Sequence, residues 1–458
     1  MQHQNKENAD GMQRGLANRH VQLIAIGGTI GTGLFLGAGT SIQLTGPSIL
    51  LIYLVTGLFM FAMMRAIGEM MYADPEQHTF VNFINKYVGV GAGWFAGWSY
   101  WISLVFVGMA EITAVANYVN FWFPNWPSWI VQIVFLLVLS LINLIAVKIF
   151  GEAEFWFAMI KIVAIVAMIV TGLFMIFGHF QTPGGGHAGF GNITNGFSLF
   201  PNGVLQFMMA FQLVFFAFQG MEYISLTVSE TMNPRDVLPR AINQILLRIL
   251  IFYIGALLVI MGIYNWQSLD ASRSPFVQVF QLAGINWAAG LINFVVLTSA
   301  ASALNSVLYS AGRQLFALSK KSDNTFLSNF AHLSKTGVPA SAILFTAGII
   351  LISPVINSIP AISNAFEFVT SASSSVYVVI YILAMIAHYN YRRSQDFKAD
   401  GFKMPFYRIL NPITIIFFIY VFITLFLQQS TLYAAIGGSI WIIIFGWLAY
   451  RKQKNTLD

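Results

Sequence analysis

Predominantly apolar stretches of about twenty residues or more recur twelve times along this chain, near 21–42, 47–72, 93–123, 128–148, 153–178, 201–231, 243–265, 285–318, 338–357, 362–388, 406–428 and 431–451. A helix rises about 1.5 Å per residue, so each stretch is long enough to cross a hydrocarbon layer about 30 Å thick. Inside hydrocarbon every backbone N–H and C=O has to be paired within its own segment, which leaves the helix as the economical solution for single apolar runs. The predicted fold is an all-α membrane protein with 12 transmembrane helices. Turn chemistry separates the runs, as at Thr45-Gly46-Pro47, Pro124-Asn125-Trp126-Pro127 and Pro183-Gly184-Gly185-Gly186.

Charge agrees with that reading. Only 9% of the residues are charged, against roughly a quarter in a soluble domain, so too little charge exists to cover a water-facing globule. The net charge of +6 therefore reports topology and not nucleic acid. With the N-terminus inside, Arg14, Arg19, Lys86, Lys148, Arg235, Arg240, Lys320, Lys335, Arg392, Arg393, Lys398 and the Arg451-Lys452-Gln453-Lys454 tail all fall on the inner side. Arg273 alone falls outside, and that asymmetry predicts a multi-pass protein of the cell membrane with both termini cytoplasmic. Trp122, Trp126, Trp129, Trp266 and Trp287 cluster near outer span ends, where an aromatic belt is expected. The N-terminal residues Met1 to Arg19 are polar and carry no cleavable signal pattern. Arg65, Glu69, Arg248 and Arg313 are expected to snorkel or anchor at span ends.

Two spans carry interruptions. The first contains Gly27-Gly28-Thr29-Ile30-Gly31-Thr32-Gly33, four glycines and two threonines in seven positions. Each interior glycine costs about 1 kcal/mol relative to alanine, so the helix is expected to break there. The sixth contains Phe216-Ala217-Phe218-Gln219-Gly220-Met221-Glu222, a glycine and an acid in an apolar run. Spans one and six correspond if one to five and six to ten form two repeats of opposite topology, and paired interruptions of that kind point to a transport site. A half-helix beginning after Gly31 offers N–H donors to a carboxylate, and a half-helix ending near Phe218 offers carbonyls to an ammonium. Together they suit an α-amino acid. Close packing of glycine-bearing helices is the competing reading.

Ionisable groups inside the spans are few. Lys161 stands in an apolar run with no charge within six residues on either side. Burial disfavours its charged form, so it can exchange a proton or serve as a fixed cation, unless it snorkels to the inner face. Glu111, in the third span, is open to three roles: proton relay, substrate contact or structural partner. Glu222 is expected to hold the unwound backbone of the sixth span, and Glu367 to sit at the interface. In the eighth span Thr298, Ser299, Ser302 and Ser306 form a hydroxylated line that either packs tightly or faces Lys161. The chain has no cysteine, which excludes thiolate metal sites and cysteine nucleophiles. No convergent catalytic set or ring of like charge is visible, so neither an enzyme nor a channel is expected, and no metal or cofactor is required.

The stretch Asn18 to Phe35, Phe150-Gly151-Glu152-Ala153-Glu154-Phe155-Trp156-Phe157-Ala158, Glu230-Thr231-Met232-Asn233-Pro234 and Asn293 to Ser302 resemble the bacterial amino acid transporter family of the amino acid–polyamine–organocation superfamily. Ser274-Pro275-Phe276-Val277 adds a likeness to its D-serine/D-alanine/glycine subgroup. The resemblance implies a 5+5 inverted repeat (LeuT-like) with helices 1 and 6 broken at mid-membrane, plus two C-terminal helices. Its parts would be a tail at 1–18, a first repeat at 19–178, an outer loop at 179–200, a second repeat at 201–388, an inner loop at 389–405, the last two helices at 406–451 and a tail at 452–458. It implies proton-driven import, by alternating access, of glycine, D-alanine and D-serine, with L-alanine a further candidate. A proline or aromatic permease and an exchanger are the alternatives.

By the same resemblance, Gly31, Thr32 and Gly33 would meet the substrate carboxylate, and carbonyls of Thr29, Phe216, Ala217 and Gln219 its ammonium, with Glu222 close by. Phe216 would act as a gate, and Ser103, Gly108 and Met109 would border the side chain. Lys161 would occupy the place of a sodium ion; from the residues themselves, Ser299 and Ser302 would complete a coupling site if they face it, and Glu111 would join it in the proton-relay role. The run Gln219 to Thr227 departs from the subgroup's pattern and adds a hydrogen-bonding side chain near the pocket.

Overall fold

The computed structural model describes residues 29–457 apart from 78, 146, 184, 228–232, 271–272, 321, 323, 358, 360–361 and 363. The polar tail, the start of the first predicted span and the Glu230-Thr231-Met232 part of the family motif lie outside the described residues. The helices in chain order are α1 (Thr32–Phe35), α2 (Gly37–Thr45), α3 (Ile49–Ala73), α4 (Val81–Tyr87), α5 (Val90–Asn120), α6 (Ser128–Ile145) and α7 (Val147–Phe177). They continue with α8 (Gly191–Thr194), α9 (Val204–Ala217), α10 (Tyr223–Thr227), α11 (Pro234–Ile263), α12 (Pro275–Leu282), α13 (Asn286–Lys320) and α14 (Thr325–Ser328). The last are α15 (Ala340–Ile350), α16 (Ser353–Asn357), α17 (Ala365–Tyr391), α18 (Tyr407–Thr424) and α19 (Gln429–Leu457).

Among the described residues, eight helical runs are long and apolar enough to cross a membrane: Gly37–Ala73, Val90–Asn120, Ser128–Ile145, Glu152–Phe177, Asn286–Lys320, Ala365–Tyr391, Tyr407–Thr424 and Gln429–Asn455. Three shorter apolar helices, Val204–Ala217, Leu250–Ile263 and Ala340–Ile356, fall in other predicted stretches. The short helices α4 and α12 were not foreshadowed; both lie between apolar runs.

The long α5 sits at the centre, packed by α13 and α17 and covered by α19. Its small residues, Gly97, Ser99, Ser103, Ala110 and Ala114, are buried and let neighbouring backbones come close. The rim is the reverse. On α18 Ile409, Ile413, Ile416, Ile419 and Ile423 are all exposed, and their spacing of three and four residues puts them on one face. α6 shows the same pattern in Val134, Leu137, Val138, Leu141 and Ile145. Such apolar stripes belong in hydrocarbon. Trp122, Trp126, Trp129 and Trp287 are exposed too, as an aromatic belt requires.

Two residues expected to anchor at span ends are instead buried. Glu69 is 2% exposed and Arg313 6%. The Glu69 carboxylate accepts from Arg392 at 2.8 Å, His388 Nε2 at 3.0 Å and the Met404 N–H at 2.7 Å, so it ties α3 to the end of α17 and to the connector that follows. The Arg313 guanidinium lies over the Tyr309 ring at 3.3 Å. Burial is tolerated in both cases because the charge is answered locally. Glu367 is also buried, accepting from Gln428 and Ser430. The side chain of Arg248 lies outside the described residues.

Candidate functional site

The second expected interruption is present, and at the first the described residues begin at a bend. Thr29 is helical, Ile30 and Gly31 bend away, and α1 starts at Thr32 with Gly31 extended (φ −124°, ψ −153°). In the second, α9 stops at Ala217, residues 218–222 form turns, and α10 resumes at Tyr223. Gly220 makes that turn possible with φ +97°, a conformation side chains disfavour.

The two breaks touch. A Cβ placed on Gly33 would lie 2.5 Å from the Ala217 Cα, so α1 and the end of α9 meet backbone to backbone. The Tyr253 hydroxyl from α11 lies 3.0 Å from the Thr29 carbonyl and 2.7 Å from that of Ala217, joining the breaks through one oxygen.

Unwinding frees backbone groups that cannot remain unpaired when buried. Side chains answer them, where the sequence had suggested a ligand or cavity. The Ile30 carbonyl accepts from Lys161 Nζ at 2.9 Å and from Ser299 Oγ at 2.7 Å. Lys161 reaches Ser302 Oγ at 3.1 Å as well. It does not snorkel: it is fully buried, and α13 brings the hydroxylated line to it. Glu111 stands at the first break: its Oε1 accepts from the Thr32 N–H at 3.3 Å and the Thr32 hydroxyl at 3.0 Å. The donors expected to receive a substrate carboxylate thus face one already.

Glu222 behaves as expected and does more. It accepts the Gly220 N–H at 3.1 Å and also the hydroxyls of Tyr100 at 3.3 Å, Tyr377 at 3.0 Å and Tyr381 at 2.7 Å. Replacing Glu222 with glutamine puts an amide where only acceptors are wanted. The expected result is a loss of about 1–3 kcal/mol of stability, read as a lower melting temperature of the detergent-solubilised protein.

Other expected contacts are partly met. Gln219 turns to α17, donating to Ser374 Oγ at 3.1 Å and accepting from Ser373 Oγ at 2.9 Å. Ser373 also reaches the Ser103 carbonyl at 3.3 Å, so Ser103 adjoins the second break. Phe216 meets the Phe366 ring edge-on at 6.2 Å. A Cβ added at Gly108 would meet Ile350 and Val307, so this glycine lets α5 pack closely against both. Met109 is buried, and its carbonyl accepts from Ser353.

Three groups went unread in the sequence. Tyr253 and the tyrosines around Glu222 give no linear signal, because they come from distant helices. Glu154 did give one: it is seven residues before Lys161, a spacing that returns to the same helix face. It is fully buried and accepts from Ser302 Oγ at 2.6 Å.

One cavity opens at the C-terminal end of α5 and another beside the C-terminal ends of α3 and α4. The first, of about 460 Å³, is lined by Leu36, Asn117, Tyr118, Arg273 and Asn293. The other, about 800 Å³, is lined by Asp74, Lys86, Asp236, Asp396 and Lys398, beyond the far end of α3.

An apolar-surfaced helical molecule in which two chain breaks meet, with a buried ammonium on the first, has the build of a multi-pass membrane transporter. A family model described as amino acid permease matches residues 20–454, and the chain belongs to that family. It is 52% identical over 457 residues to the DL-alanine permease of Lactococcus lactis subsp. cremoris, covering 99% of each chain. It is 49% identical over 448 residues to the serine permease of the same organism, covering 96% of this chain and 98% of that one. Over 448 residues it is 41% identical to the D-serine/D-alanine/glycine transporter of Escherichia coli, at 97% and 95% coverage.

Proposed function

We propose that this permease imports small neutral amino acids together with protons, by alternating access. The observation that carries the reading is the Lys161 ammonium lodged 2.9 Å from the Ile30 carbonyl at the first helix break. There it needs no metal, and a change in its protonation acts directly on the backbone that borders the substrate. No cofactor is invoked; the proton gradient supplies the work. The site residues keep their expected parts: donors of Thr32 and Gly33 for the carboxylate, carbonyls beside Tyr253 for the ammonium, and Phe216 with Phe366 as the gate. For the substrate carboxylate to bind, Glu111 has to give up Thr32.

A small, neutral substrate fits the surroundings. Gly33 against Ala217 leaves no room for bulk at the crossing. Glu222 is held by three tyrosine hydroxyls and the Gly220 N–H, so it is not free to pair with a cationic side chain. The relatives' names, which speak of alanine, serine and glycine, point the same way.

In this reading the membrane holds twelve spans as two inverted sets of five (19–178 and 201–388) and a final pair (406–451), with both termini in the cytoplasm. The cavity at Leu36 and Arg273 is then the outer approach.

Purified protein in liposomes decides the matter. Labelled alanine is expected to accumulate under an inward pH gradient and not under an inward sodium gradient. Unlabelled glycine, serine and both alanine enantiomers are expected to compete, and phenylalanine and proline not. Uptake that follows sodium and ignores pH ends the proton reading; displacement by phenylalanine and not by glycine ends the small-substrate reading.

A further inference from the structure

α7 carries two buried ionisable residues, Glu154 and Lys161, neither exposed at all. Seven residues of helix rotate about 700° and climb about 10.5 Å, so the two side chains share one stripe two turns apart. A single hydroxyl joins them. Ser302 Oγ accepts from Lys161 Nζ at 3.1 Å and donates to Glu154 Oε1 at 2.6 Å. Serine has one hydroxyl proton, and Glu154 receives it, so the three groups form a file with a direction. The other Glu154 oxygen accepts from Asn305 Nδ2 at 3.3 Å, and Asn143 on α6 donates to Asn305 Oδ1 at 2.8 Å.

That direction leads away from the breaks. Ser299 meets Ile30, Ser302 meets Lys161 and Asn305 meets Glu154, each a step of three residues along α13 toward its end at Lys320. Glu154 lies between Lys161 and the start of α7 at Val147. Both of those ends are cytoplasmic in the proposed topology. A proton that drives import has to leave on that side, and the file is the buried polar path pointing there.

Other charged or titratable groups nearby are few. Glu111 on α5 and Glu154 both act on Lys161. Tyr223 on α10 feels Glu154, and Tyr253 on α11 feels Glu111. Among the described contacts, α6 and α13 present uncharged Asn143, Ser302 and Asn305 to this region.

We propose that Glu154 is the inward proton acceptor of the transport cycle, reached from Lys161 through the Ser302 hydroxyl. An N–H bond of Lys161 breaks as Ser302 gains that proton, and Ser302 passes its own to Glu154 Oε1. Lys161 is left as a neutral amine and Glu154 as a carboxylic acid, with Ser302 unchanged in sum. Release of the Glu154 proton to the cytoplasmic side restores the carboxylate. A neutral Lys161 holds the Ile30 carbonyl less firmly, which links proton exit to movement of the first break. The inference rests on the proton-coupled reading above.

The test compares full-length wild type, E154Q and S302A in liposomes, with labelled alanine in two assays. One is accumulation under an inward pH gradient; the other is exchange against internal unlabelled alanine without a gradient. For E154Q, accumulation is expected to fall about tenfold or more, since a proton-transfer step is removed, while exchange continues and the pH profile of uptake flattens. S302A keeps both charges and breaks the file, and the same split is expected. Wild-type accumulation and pH profile in E154Q overturn the proposal. So does equal loss of exchange and accumulation in both variants, which is the signature of a structural pair. If wild type itself ignores the pH gradient, proton coupling fails first and this proposal with it.

Discussion

Gly33→Ala is expected to cut uptake by about tenfold to a hundredfold. The added methyl would stand 2.5 Å from the Ala217 Cα, 3.0 Å from its nitrogen and 3.1 Å from its Cβ. Two of those atoms are backbone, so no rotamer change relieves the contact, and α1 and α9 have to separate by about 1 Å to reach ordinary van der Waals distance. Overpacking of this kind costs about 1–3 kcal/mol, and a displacement of that size in positioned groups lowers rates by about two orders of magnitude. Separation also pulls Thr29 and Ala217 apart, and Tyr253 then loses one of the two carbonyls it adjoins. Uptake in liposomes and the melting temperature in detergent read the two effects separately. Wild-type uptake in this variant would mean that the crossing of the two broken helices does not set the substrate site. Gly33→Ser, of similar size, is expected to behave alike, which distinguishes sterics from polarity.

Much of this arrangement was legible from the chain because membrane chemistry leaves few options. Apolar runs of fixed length mark the helices, and glycine clusters inside them mark the breaks, since both follow from backbone pairing in a medium without water. Lys161 and Glu222 stood out for the same reason: charge in hydrocarbon is costly and seldom incidental. What the chain did not disclose was the answering partner of each group. Tyr253, Tyr100, Tyr377 and Tyr381 lie tens to hundreds of residues from the atoms they bind, and an isolated tyrosine in an apolar span looks like any other aromatic. The consequence is physical: side chains of the protein answer backbone groups at both breaks, so a carboxylate arriving at Thr32 would have to displace Glu111 and not fill a void. Glu154 is a different kind of omission. No charge lies within six residues of Lys161, but the helical repeat brings position seven back to the same face. Glu69 and Arg313 were misjudged because their places near span ends suggested water, whereas the inner connector after α17 folds over Glu69 and closes it in.

Lys161→Met is expected to abolish accumulation under a pH gradient and, unlike the Glu154 variants, to depress exchange as well. Methionine keeps most of the volume and removes the ammonium, so core packing is largely spared. What is lost is the donor on the Ile30 carbonyl and on Ser302. A hydrogen bond from a charged group contributes about 1.5–3 kcal/mol, and each 1.4 kcal/mol is about tenfold in an equilibrium, so the geometry at the break shifts by about one to two orders of magnitude in population. Ser299 remains on the same carbonyl at 2.7 Å, which keeps that carbonyl from being orphaned and lets the variant fold. Glu154 is affected too: it keeps Ser302 and Asn305 but loses its compensating charge, which leaves a buried carboxylate unpaired. Removing both charges together, Lys161→Met with Glu154→Gln, is therefore expected to recover thermal stability relative to Lys161→Met alone while leaving accumulation absent. Recovery of accumulation in the double variant would show that the pair only neutralises itself, and the proton would then have to travel by another route.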